Sequence, residues 1–206
     1  MKNKKIIAAI IFCIFFFSNS QTKELNNNII VSIDNLIITE LDLKKEINFI
    51  KFIKSGEDNI NIEALKKDAI QILIDRKIKD IETTIQRIEV EEKEIENNLY
   101  NYISELKINN ENLNSLYSKQ EIERDYLRNI VKIDMKWSKL IKQLYLSRIN
   151  INMTEINKDF EKDKKNTDLD EKLKMQILIS EQNKLLNKFS ITHLEKSKKK
   201  YLIKFL

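Results

Sequence analysis

The stretch Lys198–Leu206, KKKYLIKFL, decides how the rest of the chain is read. Most chains trail off in polar residues, whereas this one closes on an alternating apolar run with the pattern of a β-strand. A strand needs a partner. Upstream, Ile29-Ile30-Val31-Ser32-Ile33 and Leu36-Ile37-Ile38-Thr39 are two β-rich runs divided by Asp34-Asn35, the pattern of a hairpin with a two-residue turn. No other run of comparable length exists, and an unpaired apolar edge promotes aggregation. Tyr201–Phe205 is therefore expected to pair with the hairpin and join both ends of the chain in one small antiparallel sheet.

Between these strands the periodicity is helical, so the expected fold class is mainly α: a multi-helix core with a small sheet. Thr39 opens the first helix as its N-cap, with Asp42 placed for a capping box, and Leu43, Ile47, Ile50 and Ile53 continue it toward Gly56. From Ile62 to about Arg87 two apolar stripes run through Leu65, Ala69 and Ile72 and through Ile70, Ile74, Ile78, Ile81 and Ile85, which predicts a helix packed on two sides. Arg87–Val90 reads as an extended link. Glu91 starts a helix carrying Ile95, Leu99, Tyr102, Ile103 and Leu106. A short helix is expected over Asn110–Tyr117, then the longest from Gln120 to about Arg148, with Tyr126, Ile130, Ile133, Trp137, Leu140 or Ile141, and Leu144 on one stripe. After the link Ile149–Met153, Thr154 caps a helix with Ile156 and Phe160. The polar run Lys162–Glu171 is the best linker candidate, and a final helix from Leu173 to about Lys198 turns Leu178, Leu185, Leu186 and Phe189 inward.

Composition narrows the function. Lys2, Lys4 and Lys5 precede the apolar run Ile6–Phe17, and Ser18-Asn19-Ser20 supplies small residues before Gln21, the pattern of a cleaved signal peptide over 1–20. Twelve apolar residues span about 18 Å as a helix, short of a hydrocarbon core of roughly 30 Å. Cys13, the one cysteine, lies inside that run without the small residues of a lipoprotein signal, so the mature chain is expected to be exported with no disulfide and to depend on its apolar core. Removing the signal leaves 34 basic against 32 acidic side chains, a balance that gives no footing for nucleic acid. Lys196, Lys198, Lys199 and Lys200 then read as a solvated helix end. With one glycine and no proline, the chain cannot build phosphate loops, dinucleotide-binding turns or nucleophile elbows, each of which needs several glycines.

Three segments in unbroken order carry a family resemblance. IIVSIDNLIITELDLKKEINFI resembles the opening of the SurA family of periplasmic chaperones: strand, turn, strand ending in Ile-Thr, and a helix beginning with an acidic-Leu pair. ALKKDAIQILIDRKIKDIETTIQRIEVEEKEIENNLYNYI is similar to the family segment with a Leu-Ile-Asp pattern, in this sequence Leu73, Ile74 and Asp75. YLRNIVKIDMKWSKLIKQLYLSRININMTEINKDF resembles the long helix and the link that follow, so the match covers roughly Ile29 to Phe160. QNKLLNKFSITHLEKSKKKYLIKFL looks like the family's C-terminal helix and final strand. The resemblance implies the organisation 1–20 signal, 21–164 core, 165–171 linker, and 172–206 helix and strand completing the core. Fuller members insert glycine-rich, histidine-bearing parvulin-type prolyl isomerase domains where this chain has about ten polar residues. Gly56 and His193 both lie outside that place, so the isomerase is expected to be absent.

The remaining chemistry is sparse. His193, the one histidine, follows Phe189 by a helical turn and reads as a packing or capping residue, and Asp75 with Arg76 reads as a structural ion pair. The glutamates at 89, 91, 92, 94 and 96 surround a helix start, where the dipole favours acids, and make no metal or acid/base cluster. No catalytic residue, metal or cofactor is expected. What the resemblance implies is ATP-independent holding of unfolded outer-membrane protein segments in the periplasm, with the outer-membrane assembly machinery as a further partner. Membrane contact is expected only through the signal before cleavage. An apolar groove that accepts many sequences is best lined by methionines and aromatics, and Met135, Trp137, Tyr145, Met153, Phe160 and Met175 are the client-binding candidates. Backbone pairing at an edge of the small sheet is a second way to hold an extended client. Two alternatives stand beside this: a prolyl isomerase by family association, and an assembly scaffold tethered by an uncleaved N-terminus.

Overall fold

The computed structural model describes residues 27–54, 61–106, 123–151 and 167–206. The expected signal, the short helix over 110–117, the helix after Thr154, and candidates Met153 and Phe160 lie outside them. Strands β1 (Ile29–Ile33) and β2 (Leu36–Thr39) form the expected antiparallel hairpin, and β3 (Ile203–Phe205) pairs with the other side of β1. The sheet is antiparallel in the order β2-β1-β3. Asp34 takes the left-handed turn conformation with φ 49°, which Asp tolerates better than most residues. It also secures the far end of the chain: its N–H donates to the Leu202 carbonyl at 3.1 Å, and its Oδ1 accepts from the Leu202 N–H at 2.9 Å.

One face of the sheet is apolar and closes on a helix. Val31, Ile33 and Ile38 are fully buried against Leu73, Ile74 and Ile78 of α2 (Ile62–Ile85), with Leu194, Tyr201 and Ile203 at the margin. Helix α1 (Glu40–Ile53) starts with the expected capping box: Thr39 Oγ1 accepts from the Asp42 N–H at 3.3 Å, and the Asp42 carboxylate accepts from the Thr39 N–H at 2.9 Å. Its inward face carries Glu46 and Phe49, so the helix is rotated from the expected stripe of Leu43, Ile47, Ile50 and Ile53, of which Ile53 is exposed.

The central helix α2 contacts α1, α4 (Arg124–Tyr145) and the last helix α5 (Thr167–Lys198), and α5 rather than α4 is the longest described helix, against the expectation from sequence. Its core positions are Leu65, Ala69, Leu73, Ile74 and Ile78, whereas Ile72 and Ile85 are exposed, against the stripes expected for them. The cause at Ile85 is the helix end. Arg87 turns left-handed at φ 52°, the Ile88 N–H donates to the Thr83 carbonyl at 2.9 Å and the Arg87 N–H to the Thr84 carbonyl at 3.0 Å. This is a Schellman motif with arginine where glycine is usual, and it sends Ile88 rather than Ile85 into the core.

Helix α3 (Glu92–Glu105) begins after Glu91, where Glu94 completes a capping box, and packs on α4. Phe49, Leu99, Leu127, Ile130 and Val131 form one core cluster between α1, α3 and α4. On the other side of α4, Ile88, Trp137, Leu140, Ile141 and Leu186 form a second, closed by α5. A short 3-10 turn, Leu146–Arg148, ends α4. Helix α5 starts at Thr167, so the part of the expected linker from 167 to 171 is helical, and at 32 residues α5 is about 48 Å long. The mainly helical class and the three-stranded antiparallel sheet match the expectation from sequence.

Candidate functional site

Helices α3 and α4 run antiparallel, with Arg124 and Arg128 of α4 reaching Glu96 of α3 at 2.7 and 3.0 Å and Arg128 also pairing with Glu92. Elsewhere along this contact the helices enclose a cleft of about 620 Å³. Val90, Tyr102, Val131 and Met135 supply its apolar surface, and Glu94, Glu105, Lys139 and Lys142 stand among the polar residues around it. Charges of both signs at the rim leave the cleft without a strong preference for one sign of ligand. Burial, with Asp134 as the next cause, pushes the Tyr102 hydroxyl up to about 12, so it stays a neutral hydrogen-bonding group at any physiological pH. The volume suits a few side chains of an extended polypeptide.

Met135 is the candidate that lies on this cleft, and it also packs against the Phe49 cluster. Trp137 is 3% exposed and its indole N–H donates to Ser190 Oγ of α5 at 2.8 Å. It borders a second cleft of about 500 Å³ between α4 and α5. Asp134, Ser138 and Lys142, spaced one turn apart, form a ridge on α4 that lines both clefts. Tyr145 stacks on Phe189 with ring centroids 4.6 Å apart and planes 6° apart, joining Trp137 in the cluster under α5. Met175 is 59% exposed on α5 and belongs to neither cluster. Sequence reasoning thus placed one described candidate on the α3–α4 cleft and missed Tyr102 and Val131 as its neighbours. A signal existed: Val131 and Met135 are one turn apart on α4, and Tyr102 falls on the apolar face expected for α3.

No family model matches this chain, and no curated protein matches it significantly. Among the described residues no three His, Cys, Asp or Glu side chains are grouped to hold a metal ion, and no helix is long and apolar enough to cross a membrane.

Several buried or half-buried charges tie one element to another. Asp75 and Arg76, expected as a structural pair, each bind elsewhere: Asp75 to Lys198 of α5 at 2.7 Å, Arg76 to Glu46 of α1 at 2.6 Å. Burial alone would lower the Arg76 pKa, but the hydrogen bonds and charge of Glu46 outweigh it and raise it. Two of the four lysines read as a solvated end are also engaged, Lys198 as above and Lys200 with Glu82 at 2.9 Å. Glu82 accepts from the Tyr201 hydroxyl at 2.7 Å as well. Burial pushes the Glu82 carboxyl up, yet Tyr201 and Lys200 together hold it below the usual range.

His193 is placed by packing. Its ring lies 5.4 Å from that of Trp137, and its Nδ1 is 2.8 Å from the Tyr145 hydroxyl. Nε2 faces the Glu82 carboxylate at 3.9 Å, which favours the neutral tautomer with the ring proton on Nε2 and the Tyr145 hydroxyl donating to Nδ1. Burial lowers the His193 pKa, against the pull of Glu82 and with the push of Lys200 and Lys196. A depressed histidine pKa adds stability that is complete above the unfolded value of 6.5 and is lost as the pH falls through the folded value. The urea midpoint should therefore fall between about pH 7.5 and about pH 5.5, and the His193→Gln variant should show a flatter profile over that window. An identical profile in the variant would assign the pH dependence to other groups.

Proposed function

We propose that this chain is an ATP-independent periplasmic holding chaperone that binds unfolded outer-membrane protein segments and performs no catalysis. Its relation to the SurA family is part of the same proposal. The observation that carries the reading is the α3–α4 cleft, an open groove with Met135, Tyr102 and Val131 at its apolar surface and mixed charge at its rim. A flexible thioether beside an aromatic can repack around different side chains, as a groove serving many sequences requires. The return of β3 to the N-terminal hairpin supports the family reading, since it is the arrangement the resemblance implies. A carrier must also release its load, which sets dissociation constants no tighter than about a micromolar, or about 8 kcal/mol of binding free energy.

The test is suppression of aggregation of a urea-unfolded outer-membrane barrel protein on dilution, without nucleotide. The expected result is suppression at several-fold molar excess, and failure there overturns the reading. Met135→Asp, which places a carboxylate against the apolar wall, should weaken client binding by at least about tenfold. Its urea midpoint is measured alongside, so that a loss of fold is distinguished from a loss of binding. A proline-peptide isomerisation assay should show no rate above background, and mass spectrometry of the N-terminus in cells should show cleavage before Gln21.

A further inference from the structure

The alternation of hydrogen bonds along β3 leaves one side of it open. The Leu202 carbonyl accepts from Asp34, the Leu206 N–H donates to the Ile30 carbonyl at 3.0 Å, and Lys204 stands opposite Ser32. Residues 202, 204 and 206 therefore direct their amides at β1, and Ile203 and Phe205 direct theirs away from the sheet. Among the described residues nothing pairs with these outward groups, because β3 is the last strand in the order β2-β1-β3. Phe205 is 69% exposed although its strand neighbour Val31 is fully buried. A further strand laid along β3 would cover it. On the opposite face Lys204 lies between exposed Leu202 and Leu206 and has no acidic partner among the described residues.

We infer that the open edge of β3 takes an extended peptide as a fourth strand, its residues alternating between apolar and acidic. The apolar positions cover Ile203 and Phe205, and the acidic ones face Lys204. Charge argues against a second copy of this chain. Two β3 strands paired antiparallel in the register of longest overlap bring Lys204 against its own counterpart, which is destabilising. The inference rests on the reading that the chain holds extended polypeptide, though not on the α3–α4 cleft.

The test follows amide exchange at Ile203 and Phe205 in the full chain, titrated with a peptide of roughly eight alternating Val and Glu residues. The expected result is fast exchange in the free protein and protection on binding. A Val/Lys peptide, and a Val/Glu peptide N-methylated at the pairing amides, should each bind at least about tenfold more weakly. Lys204→Glu should reverse the preference between the Glu and Lys peptides. Protection already present in the free chain would mean that a segment of the chain itself occupies the edge. Protection that grows with protein concentration would mean a second copy, and either result overturns the inference, as does peptide binding with both amides unchanged. If the edge is protected but the unfolded barrel protein still aggregates, the holding function fails and the edge stands. If aggregation is suppressed while both amides stay unchanged, the edge fails and the holding function stands.

Discussion

Replacing Glu46 by alanine is expected to destabilise the fold by about 3 to 5 kcal/mol, measured from urea midpoints. Its side chain is 2% exposed, and it accepts both Arg76 Nη1 at 2.6 Å and Nη2 at 3.3 Å, a two-pronged contact from α1 to α2. The Tyr126 hydroxyl of α4 donates to the same carboxylate, and the Arg76 guanidinium lies over the Tyr126 ring, 5.8 Å from its centroid. Burial, reinforced by the Glu46 charge, raises the Tyr126 pKa well above the usual phenol value, so the hydroxyl remains a donor. Three helices thus meet on one carboxylate. Its loss strands a guanidinium with 15% exposure, which neither water nor Tyr126 can fully satisfy. The triple variant Glu46→Met, Arg76→Met and Tyr126→Phe should recover most of the deficit, since apolar groups of similar volume replace the buried ion pair and leave no hydroxyl without a partner. If Glu46→Ala loses less than about 1 kcal/mol, water reaches the pair and the account is wrong.

The second large effect is expected at Glu82. This carboxylate is 6% exposed and binds Lys200 and Tyr201 in the link between α5 and β3. Lys200 is itself 54% exposed, so water screens its contribution, and the Tyr201 hydrogen bond is the stronger tie. Glu82→Ala should lower stability by about 3 kcal/mol. The more specific signature is local. Exchange at Lys204 and Leu206 should accelerate more than exchange at the core of α4, because the variant frees the approach to β3 while leaving the Phe49 cluster untouched. Uniform acceleration at both places would mean that Glu82 merely contributes to global stability.

The parts of this fold that were legible in the sequence are those with local causes. Asp34-Asn35 between two β-rich runs, Thr39 with Asp42, and the 3.6-residue spacing of α2 each state their structure within a few residues. The pairing of β3 was legible by elimination, since no other strand was available to it. What stayed hidden depends on how helices rotate against each other. Glu46 lies between Leu43 and Phe49, so a charge sat on an apolar face, yet its partners are 30 and 80 residues away and no local pattern identifies them. The separate bonding of Asp75 and Arg76 has the same origin, because adjacent helical residues point about 100° apart and meet different neighbours. The cleft was half legible: a methionine on the right helix is readable, but which aromatics lie in the cluster under α5 and which line the cleft depends on the packing of α5.

Asp34 and Leu202 touch across 168 residues of sequence. The hairpin can form early, but it remains a two-stranded ribbon, marginal by itself, until residues 203–205 reach it. That contact closes a very long loop, so it is entropically costly to form, and without β3 the sheet lacks its third strand however well the helices have condensed.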